Sequence, residues 1–131
     1  MQTSSASKTA KIPGPDHPIS ITPSTDHIEV TLGGIVVADT HAALKLQESS
    51  YPAVLYVPLS DVDMRLLALS SHVSYCPYKG DCSYYTIVAG ASTAQNAVWR
   101  YAKPYAAVEE IENYVAFYPD RVDQIKITPA A

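Results

Sequence analysis

The chain reads as mainly β: a single compact domain on an antiparallel sheet, strongly bent or closed into a barrel, with one or two short helices. Three observations predict this. Ile28-Glu29-Val30-Thr31-Leu32 alternates apolar and polar at period two, the signature of a half-buried strand. Gly33-Gly34 then supplies two positions open to positive φ, and Ile35-Val36-Val37-Ala38 returns, as in a two-residue hairpin. Further short apolar runs follow between Pro and Gly punctuation, leaving room for only two short helical stretches. At 131 residues one core suffices, since a domain of this size buries about two thirds of its unfolded surface without a metal or disulfide staple.

Taken in order, residues 1–25 carry Pro13, Pro15, Pro18 and Pro23 among many Ser and Thr, and read as a mobile tail that becomes extended near Ile19 to Thr22. The β-rich domain is expected over residues 26–131, opening with the hairpin. Ala42 to Gln47 alternates and reads as a strand, because its apolar spacing is two rather than three or four. Ala53 to Val57 is another strand, bracketed by Pro52 and Pro58, which lack the donor a central strand would use. Ser60-Asp61-Val62-Asp63 resembles an N-cap with an acidic first turn and predicts a short helix over Val62 to Leu67. Ser71 to Tyr75 and Ser83 to Ala89 form a second hairpin-like pair around Pro77 and Gly80, and Gln95 to Tyr101 is a further strand. Pro104 can open a helix with Val108 and Ile111 on one face and Glu109, Glu110 and Glu112 on a solvated one. Tyr114 to Tyr118 and Gln124 to Ile127 close the chain as strands, and no internal repeat is present.

Composition excludes several partners. Nine basic and thirteen acidic residues give a net charge of −4, and the basic ones are scattered singly, whereas phosphate-backbone binding needs clustered Lys and Arg. Nucleic acid is therefore not expected. Met1 to Lys8 lacks the apolar core of a secretory signal, and no run approaches the roughly 18 apolar residues of a membrane span, so a cytoplasmic protein without a membrane partner is expected. In that reducing compartment Cys76 and Cys82 are expected as free thiols, although a turn could bring them together. Ten Tyr stand against one Phe and one Trp. A ring with a polar tip suits the wall of a pocket or interface; half-buried strand positions account for it as well.

The densest chemistry lies in Tyr75-Cys76-Pro77-Tyr78-Lys79-Gly80-Asp81-Cys82. Cys76-Pro77-Tyr78 matches three residues of the glutaredoxin motif Cys-Pro-Tyr-Cys, but Lys79 replaces the resolving cysteine and no helix follows to stabilise a thiolate. Tyr75 and Lys79 have the Tyr-x-x-x-Lys spacing of short-chain dehydrogenases, yet Pro77 removes the helical turn that pair needs, and there is no G-x-G-x-x-G loop. His72, Cys76 and Cys82 give three zinc-type ligands without the fourth or the Cys-x-x-Cys knuckle, so no metal and no other cofactor is expected there. Asp61-x-Asp63 resembles the paired carboxylates with which nucleotidyltransferases hold Mg²⁺, but Ser49-Ser50 stands where those enzymes carry Gly-Ser.

Several segments together resemble one family. They are Pro13-Gly14-Pro15-Asp16-His17-Pro18, the hairpin from Leu32 to Thr40, Asp61-Val62-Asp63-Met64, His72 to Gly80, Asn96-Ala97-Val98-Trp99, and Val115 to Asp123. In this order they are similar to domain of unknown function family 427, also labelled nucleotidyltransferase-like, with the likeness spread over about residues 11 to 125 and the Tyr-Cys-Pro-Tyr-Lys-Gly run its most specific part. The resemblance implies a single domain with a strongly bent sheet similar to the β-tent fold, and no known reaction.

Given such a sheet, Pro77 and Gly80 should fix a turn that projects Tyr78 and Lys79, with Cys76 facing the core or a pocket floor. His72 shares the face of Cys76 if its strand is regular. Tyr56, Trp99 and Tyr118 from other strands would complete an apolar cleft with a few polar groups, and Arg65 or Arg121 could anchor an anionic group. The expected function is binding of a small, optionally anionic metabolite around this turn. The alternatives are an enzyme, using Cys76 as nucleophile with His72 as base or Mg²⁺ at Asp61 and Asp63, and a protein interaction module. The expected partner is a small-molecule ligand, and a homodimer is compatible with the domain. The bland alternative is that these polar atoms only satisfy one another inside a curved sheet.

Overall fold

Each predicted run pairs with a neighbour only in an antiparallel sense, and the pairings sort the strands into two open sheets. The structure is a computed structural model and describes residues 9–130. The reading of Met1 to Lys8 as part of a tail lies outside the described residues. The described residues form ten strands: β1 Ile19–Ser24, β2 His27–Leu32, β3 Ile35–Thr40, β4 Ala43–Glu48, β5 Val54–Pro58, β6 Leu67–Cys76, β7 Gly80–Ala89, β8 Ser92–Arg100, β9 Tyr114–Phe117 and β10 Gln124–Thr128. A seven-stranded sheet runs β1-β4-β5-β9-β8-β7-β6 and a three-stranded sheet runs β10-β2-β3. The large sheet ends on β1 and β6, which do not pair with each other, so it is an open sheet and not a closed barrel.

The hairpin follows the pattern of its residues. In β2, Ile28, Val30 and Leu32 are buried while His27, Glu29 and Thr31 face outward. Gly33 and Gly34 have φ of 60° and 76°, the two left-handed positions a two-residue turn demands. The inner face packs Ile28, Val30, Val37 and Ala38 against Val57, Ile87, Val98 and Val115 of the large sheet, forming the main core. At the hairpin tip the backbone runs close to the β7–β8 turn. A Cβ on Gly33 would stand 2.5 Å from Ser92 Oγ and 3.3 Å from the Ala89 carbonyl oxygen. A second core cluster, with Leu46, Tyr56, Cys82, Tyr84, Tyr101, Val108, Ile111 and Ala116, covers another part of the large sheet.

Three expectations are corrected. Ile19 to Ser24, assigned to the tail, forms edge strand β1, paired with β4 from Ile19↔Glu48 to Ser24↔Ala43. Pro23 is tolerated there because an edge strand has one unpaired side. The stretch from Val62 to Leu67 is not one helix. Two three-residue 3₁₀ turns, Leu59–Asp61 and Met64–Leu66, flank Val62, and the capping side chain is Asp63, which accepts from the Arg65 backbone N–H at 3.3 Å. So short a segment between two strands cannot repay α-helix nucleation. After Pro104 the helical segment is a 3₁₀ element, Ala106–Ile111, which buries Val108 and Ile111 as expected. No helix among the described residues is long and apolar enough to cross a membrane.

Candidate functional site

The β6–β7 connection is a tight turn. The Lys79 N–H donates to the Cys76 carbonyl at 3.2 Å, and Pro77, second in that turn, presets its φ. Gly80 follows at φ 112°, a conformation that side-chain-bearing residues rarely adopt. Two further segments hold the turn in place: the Lys11 N–H donates to the Pro77 carbonyl and the Tyr105 N–H to the Lys79 carbonyl, both at 2.9 Å. The turn sends its two long side chains different ways. Tyr78 stacks flat on the His17 ring, with centroids 4.0 Å apart and planes 7° from parallel. Lys79 turns inward and is only 6% exposed.

The ammonium of Lys79 donates to Glu48 Oε1, and the other oxygen of that carboxylate lies 2.7 Å from His17 Nε2. Burial by itself would raise the Glu48 carboxyl, but the hydrogen bonds from Lys79 and His17 outweigh it and hold the group below the ordinary carboxylate range. The Cys76 thiol is 3.8 Å from Lys79 Nζ.

Beside this triad lies a cavity of about 250 Å³ lined by Leu46, Glu48, Tyr51, Pro52, Val54, Tyr56, Lys79, Tyr84, Trp99, Tyr101 and Tyr118. Its aromatic walls are interlocked. Trp99 Nε1–H donates to the Tyr56 hydroxyl at 3.2 Å, and the Tyr118 ring lies 4.5 Å from Trp99, centroid to centroid. The Tyr84 hydroxyl is 2.8 Å from Ser74 Oγ. Burial pushes the Tyr84 phenol up to about 12 and raises Tyr56 and Tyr101 as well, so the phenols stay neutral hydrogen-bonding groups. A second, larger apolar groove of about 560 Å³ opens between the two sheets and shares Tyr51, Pro52, Val54 and Trp99 with the first.

Of the residues expected at the site, Tyr56, Lys79, Trp99 and Tyr118 line the one cavity, and Cys76 touches it through Lys79. Tyr78 backs His17 instead of reaching the cavity. Arg121 lies over the Tyr118 ring, 4.3 Å from its centroid, and donates to the Asn96 carbonyl at 2.8 Å, so it supports a wall from outside. Arg65 is placed elsewhere: its side chain is 89% exposed and engages both oxygens of Asp63 at 2.9 Å. His72 is exposed, its ring 4.5 Å from that of Tyr84, and no hydrogen bond joins it to Cys76 among the described residues. His72 lies at the register shift of β6 between Leu69 and Val73, and its ring packs on Tyr84, whose hydroxyl meets Ser74, two residues before Cys76. Both thiols are free, Cys82 buried and Cys76 half-buried. Glu48, His17, Tyr84 and Tyr101 were not singled out by their sequence context, because their partners come from strands and turns far along the chain.

A family model described as a domain of unknown function, DUF427, matches residues 20–128. The chain belongs to the DUF427 family. No curated protein matches it. At the paired aspartates, Asp61 accepts from the Thr40 hydroxyl at 2.7 Å and Asp63 pairs with Arg65.

Proposed function

We propose that this DUF427 domain binds a small, flat, polar metabolite in the Tyr- and Trp-lined cavity beside the Tyr75-to-Gly80 turn, without transforming it. One observation carries the reading: a buried ammonium, a carboxylate and five phenol-bearing side chains border the same small hollow as the sole indole of the chain. Binding sites are typically such concavities, mostly apolar with a few convergent polar groups. The cavity volume of about 250 Å³ corresponds to about eight waters at ~30 Å³ each, which restricts the ligand to a small molecule. Arg65 and Arg121, expected as anchors for an anion, stand outside the lining, and the Lys79 charge is already answered by Glu48. A neutral or zwitterionic ligand that offers an acceptor to Lys79 and a donor to Glu48 therefore fits better than an anionic one.

Because Trp99 is the only tryptophan and borders both this cavity and the larger groove, its fluorescence reports on either, and Lys79, which lines only the cavity, tells them apart. A metabolite screen should find a compound that both raises the melting temperature and shifts the Trp99 emission, with both effects lost in Lys79→Met and kept in Arg65→Ala. A stabiliser that acts equally on the Lys79→Met protein would locate the site elsewhere and end this reading.

A further inference from the structure

On the outer face of the small sheet, far in sequence from the turn, a second group of side chains has chemistry that neither packing nor the cavity uses. Glu29 on β2 and Asp39 on β3 are direct cross-strand partners. His27 precedes Glu29 by two residues, hence on the same face, and its Nε2 lies 2.7 Å from Asp39 Oδ1. One ligand-type atom from each of His27, Glu29 and Asp39 falls within 4.8 Å of the other two. His41, just past the end of β3, lays its ring on that of His27, with centroids 4.5 Å apart and planes at 11°.

Two carboxylates set directly opposite each other in a ladder destabilise it. A cation between them would reverse that sign. Two donors on a tetrahedral ion with bonds near 2.1 Å lie about 3.4 Å apart, a separation that small side-chain rotations can reach from the present spacing. Imidazole with carboxylates suits borderline divalent transition ions, whereas an all-oxygen set would suit Mg²⁺ or Ca²⁺. We infer that His27, Glu29 and Asp39 form a binding site for a divalent transition ion of the zinc class, with His41 positioning the His27 ring. Bound there, the ion ties β2 to the end of β3. Lys126, opposite Glu29 on β10, is a competing cation.

The full chain, stripped of metal and titrated calorimetrically with Zn²⁺ in the presence of excess Mg²⁺, should take up one ion. His27→Ala, Glu29→Gln and Asp39→Asn should each weaken binding by at least about tenfold, with circular dichroism unchanged, and Cys76→Ser should bind as the parent does. Lys126→Met should bind more tightly. No uptake by the parent, uptake indifferent to His27→Ala and Asp39→Asn, or loss of binding in Cys76→Ser would each overturn the assignment.

Discussion

Replacing Lys79 by Met removes the ammonium while keeping an unbranched stem in the same pocket, so the loss reports on the charge more than on packing. In the parent, Lys79 and Glu48 have side chains only 8% and 18% exposed. A hydrogen bond to a charged group contributes about 1.5–3 kcal/mol, and stripping one partner from a fully buried pair costs about 3–5 kcal/mol. Here Glu48 keeps His17, at 2.7 Å, and some solvent. The expected loss is thus near the lower range, about 2 kcal/mol. With a urea m-value of roughly 2 kcal/mol/M, the midpoint falls by about 1 M. The pH dependence gives a second reading. A carboxyl whose folded pKa lies below its unfolded value of 4.5 contributes stability above that value and loses it as pH falls through the folded pKa. Urea midpoints of the parent should therefore drop below about pH 4.5, and this limb should flatten or reverse in Lys79→Met, where burial acts on Glu48 with less to oppose it. A double-mutant cycle with Glu48→Gln isolates the pair. Additive losses within about 0.3 kcal/mol, or an acid limb identical in parent and variant, would refute the coupling.

Other outcomes follow from the same geometry. Gly33→Ala combines left-handed strain with overlap against Ser92 and should cost about 2–3 kcal/mol in urea unfolding, whereas Gly34→Ala, with nothing within 4 Å, should cost about 1 kcal/mol; equal losses would mean that the hairpin tip is not pressed on the β7–β8 turn. Iodoacetamide should label Cys76 well before Cys82, whose thiol is buried and raised by that burial, with mass spectrometry after digestion as the readout. Spectrophotometric titration should show Tyr84 ionising near 12, so Tyr84→Phe should remove one late-titrating phenol from the curve, and an unchanged late phase would refute its burial.

The local rules carried most of the architecture. Period-two alternation located β2 and β4, the bracketing prolines located β5, and Gly33-Gly34 marked a two-residue hairpin turn. The turn of Pro77 and Gly80 was legible for the same reason, since φ constraints are written in single residues. Lys79 and Trp99 do border one hollow, together with Tyr56 and Tyr118. Pairing across long separations was not legible: Glu48 meets His17 and Lys79 at 31 residues' distance on either side, and no local pattern encodes which strand lies beside which. His72 sits exposed because β6 is an edge of the large sheet, a placement that periodicity does not encode. Ile19 to Thr22 was legible as extended chain but not as a sheet strand, because its partner β4 lies far along the sequence and Pro23 is compatible only with an edge. The His27, Glu29 and Asp39 group escaped notice because a register shift between Val30 and Thr31, which the hairpin pattern does not reveal, sets Glu29 opposite Asp39.

The contact at Gly33 also governs something at a distance. Two sheets pressed together at their hairpin tips share an apex there, and the tilt of one sheet on the other is set against that contact. The groove between the sheets lies away from this apex, walled by Ile28 and Val30 but not by Leu32, which adjoins the tip. Bulk added at the apex must therefore be expressed as a change of width at the mouth, so that an absent methyl group calibrates a cleft to which it contributes no wall.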